Sequence, residues 1–108
     1  MNTNGFARGI MAKNYSTENF LKHVAISVER QLKEWDETYE VMVMKGVQYE
    51  FVINHNDTFY SLQLTDQDIH HLQTKGPYSL DRVIWKELEE QGVAIRNDCG
   101  NYLNVVMG

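Results

Sequence analysis

Residues 39–64, YEVMVMKGVQYEFVINHNDTFYSLQL, hold three short runs rich in valine, methionine, isoleucine and aromatic side chains, separated by Lys45-Gly46 and by Asn54 to Asp57. Runs of that length and composition read as strands, and breaks so short join antiparallel neighbours. The rest of the chain has to be fitted around a three-stranded meander. With Lys45-Gly46 as a two-residue loop, Met44 pairs with Val47 and Met42 with Tyr49. With Asn54 to Asp57 as the second turn, Ile53 pairs with Thr58 and Phe51 with Tyr60. Side chains alternate across a strand, so one face collects Met42, Met44, Val47, Tyr49, Phe51, Ile53, Tyr60, Leu62 and Leu64 and is the expected core. The other collects Tyr39, Val41, Val43, Gln48, Glu50, Val52, Asn54, Phe59, Ser61 and Gln63, about half of it polar. A slip of one residue would exchange the two faces.

The segments around the meander read as helices and a hairpin. Ser16 or Thr17 is an N-cap, Glu18 suits a first turn, and Leu21, Val24, Val28, Leu32 and Trp35 follow at helical spacing, predicting a helix of about five turns across the meander's core face. Thr65 to Asp68 forms a capping-box pattern that opens a short helix to about Thr74, stopped by Gly76-Pro77. Ser79 is the expected cap of a third helix that ends at Gly92, and residues 93–107 predict a β-hairpin turning at Asn97 to Asn101. Met1 to Tyr15, with two glycines and no apolar period, is expected as a flexible leader, Met11 being an alternative start. Residues 16–108 then form a single small α+β domain of order α-β-β-β-α-α-β-β, an antiparallel meander packed against a long N-terminal helix.

Composition narrows the function. The chain has 108 residues, 43% of them hydrophobic, which is room for one modest core. No apolar run approaches the roughly 20 residues that cross a bilayer, and no apolar signal centre stands at the N-terminus, so a cytoplasmic protein without membrane contact is expected. One cysteine, Cys99, cannot form an internal disulfide, and at a hairpin tip it reads as a bystander thiol. Four histidines at scattered spacings match no zinc pattern, and Asp66 with His70 lacks further ligands, so no metal or cofactor is expected. Phosphate loops, nucleophile elbows and metalloprotease pairs are all absent, which points away from an enzyme.

Charge is unevenly placed. Residues 34–74 carry eight acids against Lys45, a net of −7, while the remainder carries seven acids and nine bases. Such a field disfavours nucleic acid and attracts basic protein surfaces. The reading that follows is a non-enzymatic, acidic protein-interaction module that uses Tyr39, Glu40, Val41, Val43, Glu50, Val52, Asp57 and Phe59, apolar anchors rimmed by carboxylates, to occupy a basic partner surface. In its more specific form it is a regulator or inhibitor whose carboxylates imitate phosphates on a nucleic-acid-binding surface, as small acidic inhibitors from phages and other mobile elements do. Self-association through the first strand's edge is a second interaction such a sheet allows.

The alternative is DNA binding. Residues 66–107, a short helix, a Gly-Pro turn, a second helix and a hairpin, resemble the back half of a winged-helix domain. That resemblance implies Tyr78, Ser79, Arg82, Trp85, Lys86 and Arg96 at the nucleic acid, the hairpin being the wing. Against it, the would-be recognition helix carries four acids and two bases.

Overall fold

The Ser16 hydroxyl accepts the Asn19 amide and so starts helix α2, Thr17–Trp35, whose Phe20, Leu21, Val24, Val28 and Leu32 fall on one side and are buried. In this computed structural model, which describes residues 5–96 and 101–107, that side packs into a core shared with an antiparallel sheet. The sheet has the order β1, Glu40–Lys45, β2, Tyr49–His55, and β3, Thr58–Leu64. Glu18, near the start of α2, holds Lys45 at 2.8 Å, and Glu29, three turns on, accepts the Val41 amide at 2.9 Å. The helix thus runs antiparallel to β1 along the sheet's margin.

The register differs from expectation in β1. Asn56 and Asp57, with φ of 50° and 67°, form the two-residue turn between β2 and β3, so that His55 pairs with Thr58 and Ile53 with Tyr60. That is two residues away from the pairing expected with a longer turn, and an even shift keeps every side chain on its expected face. Between β1 and β2 the loop is Gly46 to Gln48, closed by the Gly46 amide on the Gln48 carbonyl, and Lys45 pairs with Tyr49. The shift there is three residues, an odd number, so β1 is inverted. Val41 and Val43, not Met42 and Met44, stand on the core side with Tyr49, Phe51 and Ile53.

Four further helices among the described residues complete the α+β domain. Thr65 and Asp68 close the capping box of α3, Asp66–Lys75, as the pattern predicts. Helix α4, Ser79–Glu90, begins without a side-chain cap: Tyr78 is its N-cap residue and Ser79 lies within the helix, buried. Its Leu80, Ile84, Trp85 and Leu88 join the core.

The two ends of the chain depart most from the sequence reading. Residues 101–107 are helix α5, Asn101–Met107, and residues 93–96 form no strand, so the expected hairpin is absent from the described residues; its turn at residues 97–100, with Cys99, lies outside them. Tyr102 and Val106, one helical turn apart, are both buried, and Tyr102 reaches α4. Packing there overrides the strand preference of Val105 and Val106. The expected leader also gives way to structure, because residues 5–14 form helix α1, Gly5–Asn14, with Arg8 buried.

Arg8 explains how a glycine-containing helix of ten residues is held. Its guanidinium donates to Asp81 at 2.5 Å, to Ser27 at 3.0 Å and to the Pro77 carbonyl at 3.2 Å, and lies 4.7 Å from the Tyr78 ring centre. Asp81, fully buried, also accepts the Tyr102 hydroxyl, which in turn accepts the Trp85 indole N–H. Burial, and then the Asp81 carboxylate, push the Tyr102 phenol well above its ordinary pKa. One polar knot therefore joins α1, α2, α4 and α5 inside an otherwise apolar interior.

Candidate interaction face

The sheet has an inner face against the helices and an outer face that turns away from them. Because pairing puts Glu40, Met42, Met44, Glu50, Val52, Asn54, Phe59, Ser61 and Gln63 on one side, the outer face alternates strictly with the core residues. At its middle, Val52 is 6% exposed between Met42 and Ser61, its cross-strand neighbours, and it stands apart from the main core cluster. Around it Met42 is 42%, Met44 47% and Phe59 63% exposed. These three large apolar groups share the solvent-facing side of the sheet with Val52 between them, a composition found at interaction sites.

Carboxylates stand beside this strip. Glu40 is opposite Asn54 at one end and Glu50 opposite Met44 towards the other. Neither has an ion-pair partner among the described residues. Lys45, the lone base of residues 34–74, is on the inner parity and engaged with Glu18. The outer face is therefore apolar at its centre, anionic at its ends and without a compensating cation of its own strands.

Of the eight residues expected at a partner surface, the structure brings together four: Glu40, Glu50, Val52 and Phe59. Val41 and Val43 face the core, Tyr39 is buried, and Asp57 sits in the β2–β3 turn. The residues missed are Met42 and Met44. A signal for them was present: with Met42 and Met44 inward, the same parity sends the Glu40 carboxylate inward too, at a cost no neighbouring cation offsets. Turning β1 over removes that conflict.

The end of the sheet carries an Asp–His pair. Asp36, the C-cap of α2, lies 2.8 Å from Nε2 of His55 and accepts the Thr38 amide and hydroxyl, and Tyr39 stacks on the His55 ring at 3.9 Å. The His55 contact first, then Thr38, hold the Asp36 carboxyl down at about 2. The cluster clasps the end of α2 to the end of β2.

The six residues expected at DNA are spread between core and surface. Tyr78, Ser79 and Trp85 are buried, and Arg82 spends its Nε–H on the Val106 carbonyl at 2.7 Å. Lys86 and Arg96 are exposed, but the wing that would carry Arg96 is not formed by the described residues. Asp66 accepts the Thr17 hydroxyl at 2.5 Å rather than pairing with His70. No group of three histidine, cysteine or acidic side chains among the described residues is placed to hold a metal. No described helix is long and apolar enough to cross a membrane.

A cleft of about 490 Å³ opens between α1, the α1–α2 junction and α3, lined in part by Lys13, Tyr15, Thr17 and His70. Gln73 closes its floor by donating to the Ala12 and Tyr15 carbonyls. These bonds fasten the end of α1. No protein-family model, curated protein or solved structure matches the chain.

Proposed function

We propose that this protein is a non-enzymatic, acidic interaction module, acting in the cytoplasm as a regulator or inhibitor that occupies a basic surface of a partner protein. The observation that carries the reading is the outer sheet face: Met42, Met44 and Phe59 exposed around Val52, with Glu40 and Glu50 lacking ion-pair partners among the described residues. Aromatic and methionine anchors give adaptable apolar contact, and carboxylates at the margin steer a cationic surface into place. A partner surface shaped for nucleic acid meets both requirements, since its lysines and arginines are spaced for anions.

The test is quantitative capture of a partner by the immobilised protein and its variants. Glu40→Gln/Glu50→Gln, and separately Phe59→Ser, are expected to reduce retention severalfold. Gln67→Lys/Asn104→Lys, which changes net charge equally on the helical side, leaves it unchanged. Circular dichroism confirms that each variant is folded. Equal loss in the two charge-changing variants, with Phe59→Ser unaffected, would show that bulk charge, not this face, attracts the partner. Unchanged retention in the two face variants would remove the face from the interaction.

A further inference from the structure

Resting on the proposed function, we infer that the partner element seated on the outer face is a single amphipathic α-helix with basic flanks, laid across the face rather than added as a strand to an edge. The edges argue first. At β1 the outward Val41 amide is taken by Glu29, and at β3 the Ser61 amide and carbonyl are both taken by the side-chain amide of Gln91, at 3.1 Å and 2.7 Å. Gln91 thus mimics one peptide unit of a fourth strand. A strand joining either edge would have to displace these groups, whereas the outer face is open.

The dimensions fit one helix. Three strands of six and seven residues make a face about 20 Å long, with the outer strands about 10 Å apart, close to the diameter of one helix with its side chains. The charges fit as well. Glu40 stands level with Asn54, four residues along β2 from Glu50, so the two carboxylates lie about 13 Å apart along the strands. A helix rises 1.5 Å per residue and returns to the same flank after seven or eight residues, about 11–12 Å, so two long cationic side chains at that spacing reach both. Between them, Met42 and Met44 present flexible thioethers that adapt to apolar knobs, and Val52 forms the floor. A second copy of the chain suits the face poorly, because apposed outer faces would set Glu40 and Glu50 against their own counterparts.

Three synthetic peptides of eighteen residues test this against methyl-labelled methionine in the full chain: leucine and lysine at helical spacing, leucine and glutamate at the same spacing, and leucine and lysine alternating with period two. The helical leucine–lysine peptide is expected to gain helical circular dichroism on binding. It should shift the Met42 and Met44 methyl resonances while sparing Met11 and Met107. Its affinity should fall about five- to tenfold in Glu40→Gln/Glu50→Gln, the range for two exposed ion pairs. Tighter binding of the period-two peptide with shifts at the Val41 and Ser61 amides, equal binding of the glutamate peptide, equal shifts at Met11, Met42, Met44 and Met107, or no binding by any peptide would each overturn the inference. So would concentration-dependent shifts of Met42 and Met44 without peptide, which signal a second copy. Partner capture that depends on Glu40 and Glu50, together with preference for the period-two peptide, would overturn the helix while leaving the proposed function standing.

Discussion

Replacing Arg8 with methionine should cost this domain a large part of its stability, although the residue lies on a helix that the sequence marks as a leader. Arg8 is 4% exposed and Asp81 fully buried, and the 2.5 Å contact between them is the cation that Asp81 has inside the fold. Arg8→Met keeps most of the aliphatic length and removes the charge, leaving the carboxylate with the Tyr102 hydroxyl alone. Breaking a buried pair from one side costs about 3–5 kcal/mol, because the remaining charge is stranded away from water. A domain of this size has about 5–15 kcal/mol in all. At about 4 °C or more per kcal/mol, the midpoint of thermal unfolding should fall by at least about 12 °C. Removal of residues before Met11 should have the same effect, since it deletes Arg8. Urea unfolding of the wild type, Arg8→Met, Asp81→Asn and the double variant is the assay. The double variant should lose less than the sum of the singles, with a coupling of about 1–3 kcal/mol. A loss below about 1 kcal/mol in Arg8→Met, or strict additivity, would refute the polar knot as the fastening of α1.

Three other outcomes follow from named contacts. Gln91→Ala strips both bonds from Ser61 and is expected to lower stability by about 1–2 kcal/mol and to promote self-association in sedimentation runs; an unchanged monomer would show that the β3 edge needs no plug. Asp36 is depressed to about 2 from an unfolded value near 4, so it contributes stability above about pH 4 that is lost as pH falls towards 2; Asp36→Asn should flatten that part of the thermal-stability curve, and an unaltered acid limb would contradict the His55 clasp. Tyr102 is raised, so the unfolded chain releases its proton first and stability falls as pH rises past about 10; Tyr102→Phe should soften that alkaline fall, leaving the smaller contributions of Tyr39 and Tyr78, which burial also raises.

What the sequence made legible, it made legible through local chemistry. The N-cap at Ser16, the stripe from Leu21 to Leu32 and the Thr65–Asp68 capping box each declare themselves within a few residues, and the structure forms them. The β2–β3 faces survived a misplaced turn because the error was even. The β1 face did not, because Gly46 to Gln48 makes a loop whose length decides parity and whose sequence, glycine aside, carries no strong turn signal. That one odd shift exchanged Val41 and Val43 for Met42 and Met44 and redrew half of the candidate surface. The termini were illegible for another reason. Arg8 and Tyr102 are placed by Asp81, more than seventy residues from the one and more than twenty from the other, and no local pattern announces a long-range ion pair. Glycines in α1 and valines in α5 argue against helix until that partner is in view.

The measurement closest to the central claim is relaxation of methyl signals by a soluble paramagnetic chelate, recorded on the free protein and on its complex with a captured partner. Met42 and Met44 should relax rapidly in the free protein, Val41 and Val43 more slowly, and only the two methionines should become protected in the complex, with Met107 still relaxing. Rapid relaxation of Val41 and Val43 in the free protein, or continued relaxation of Met42 and Met44 in the complex, would contradict the account.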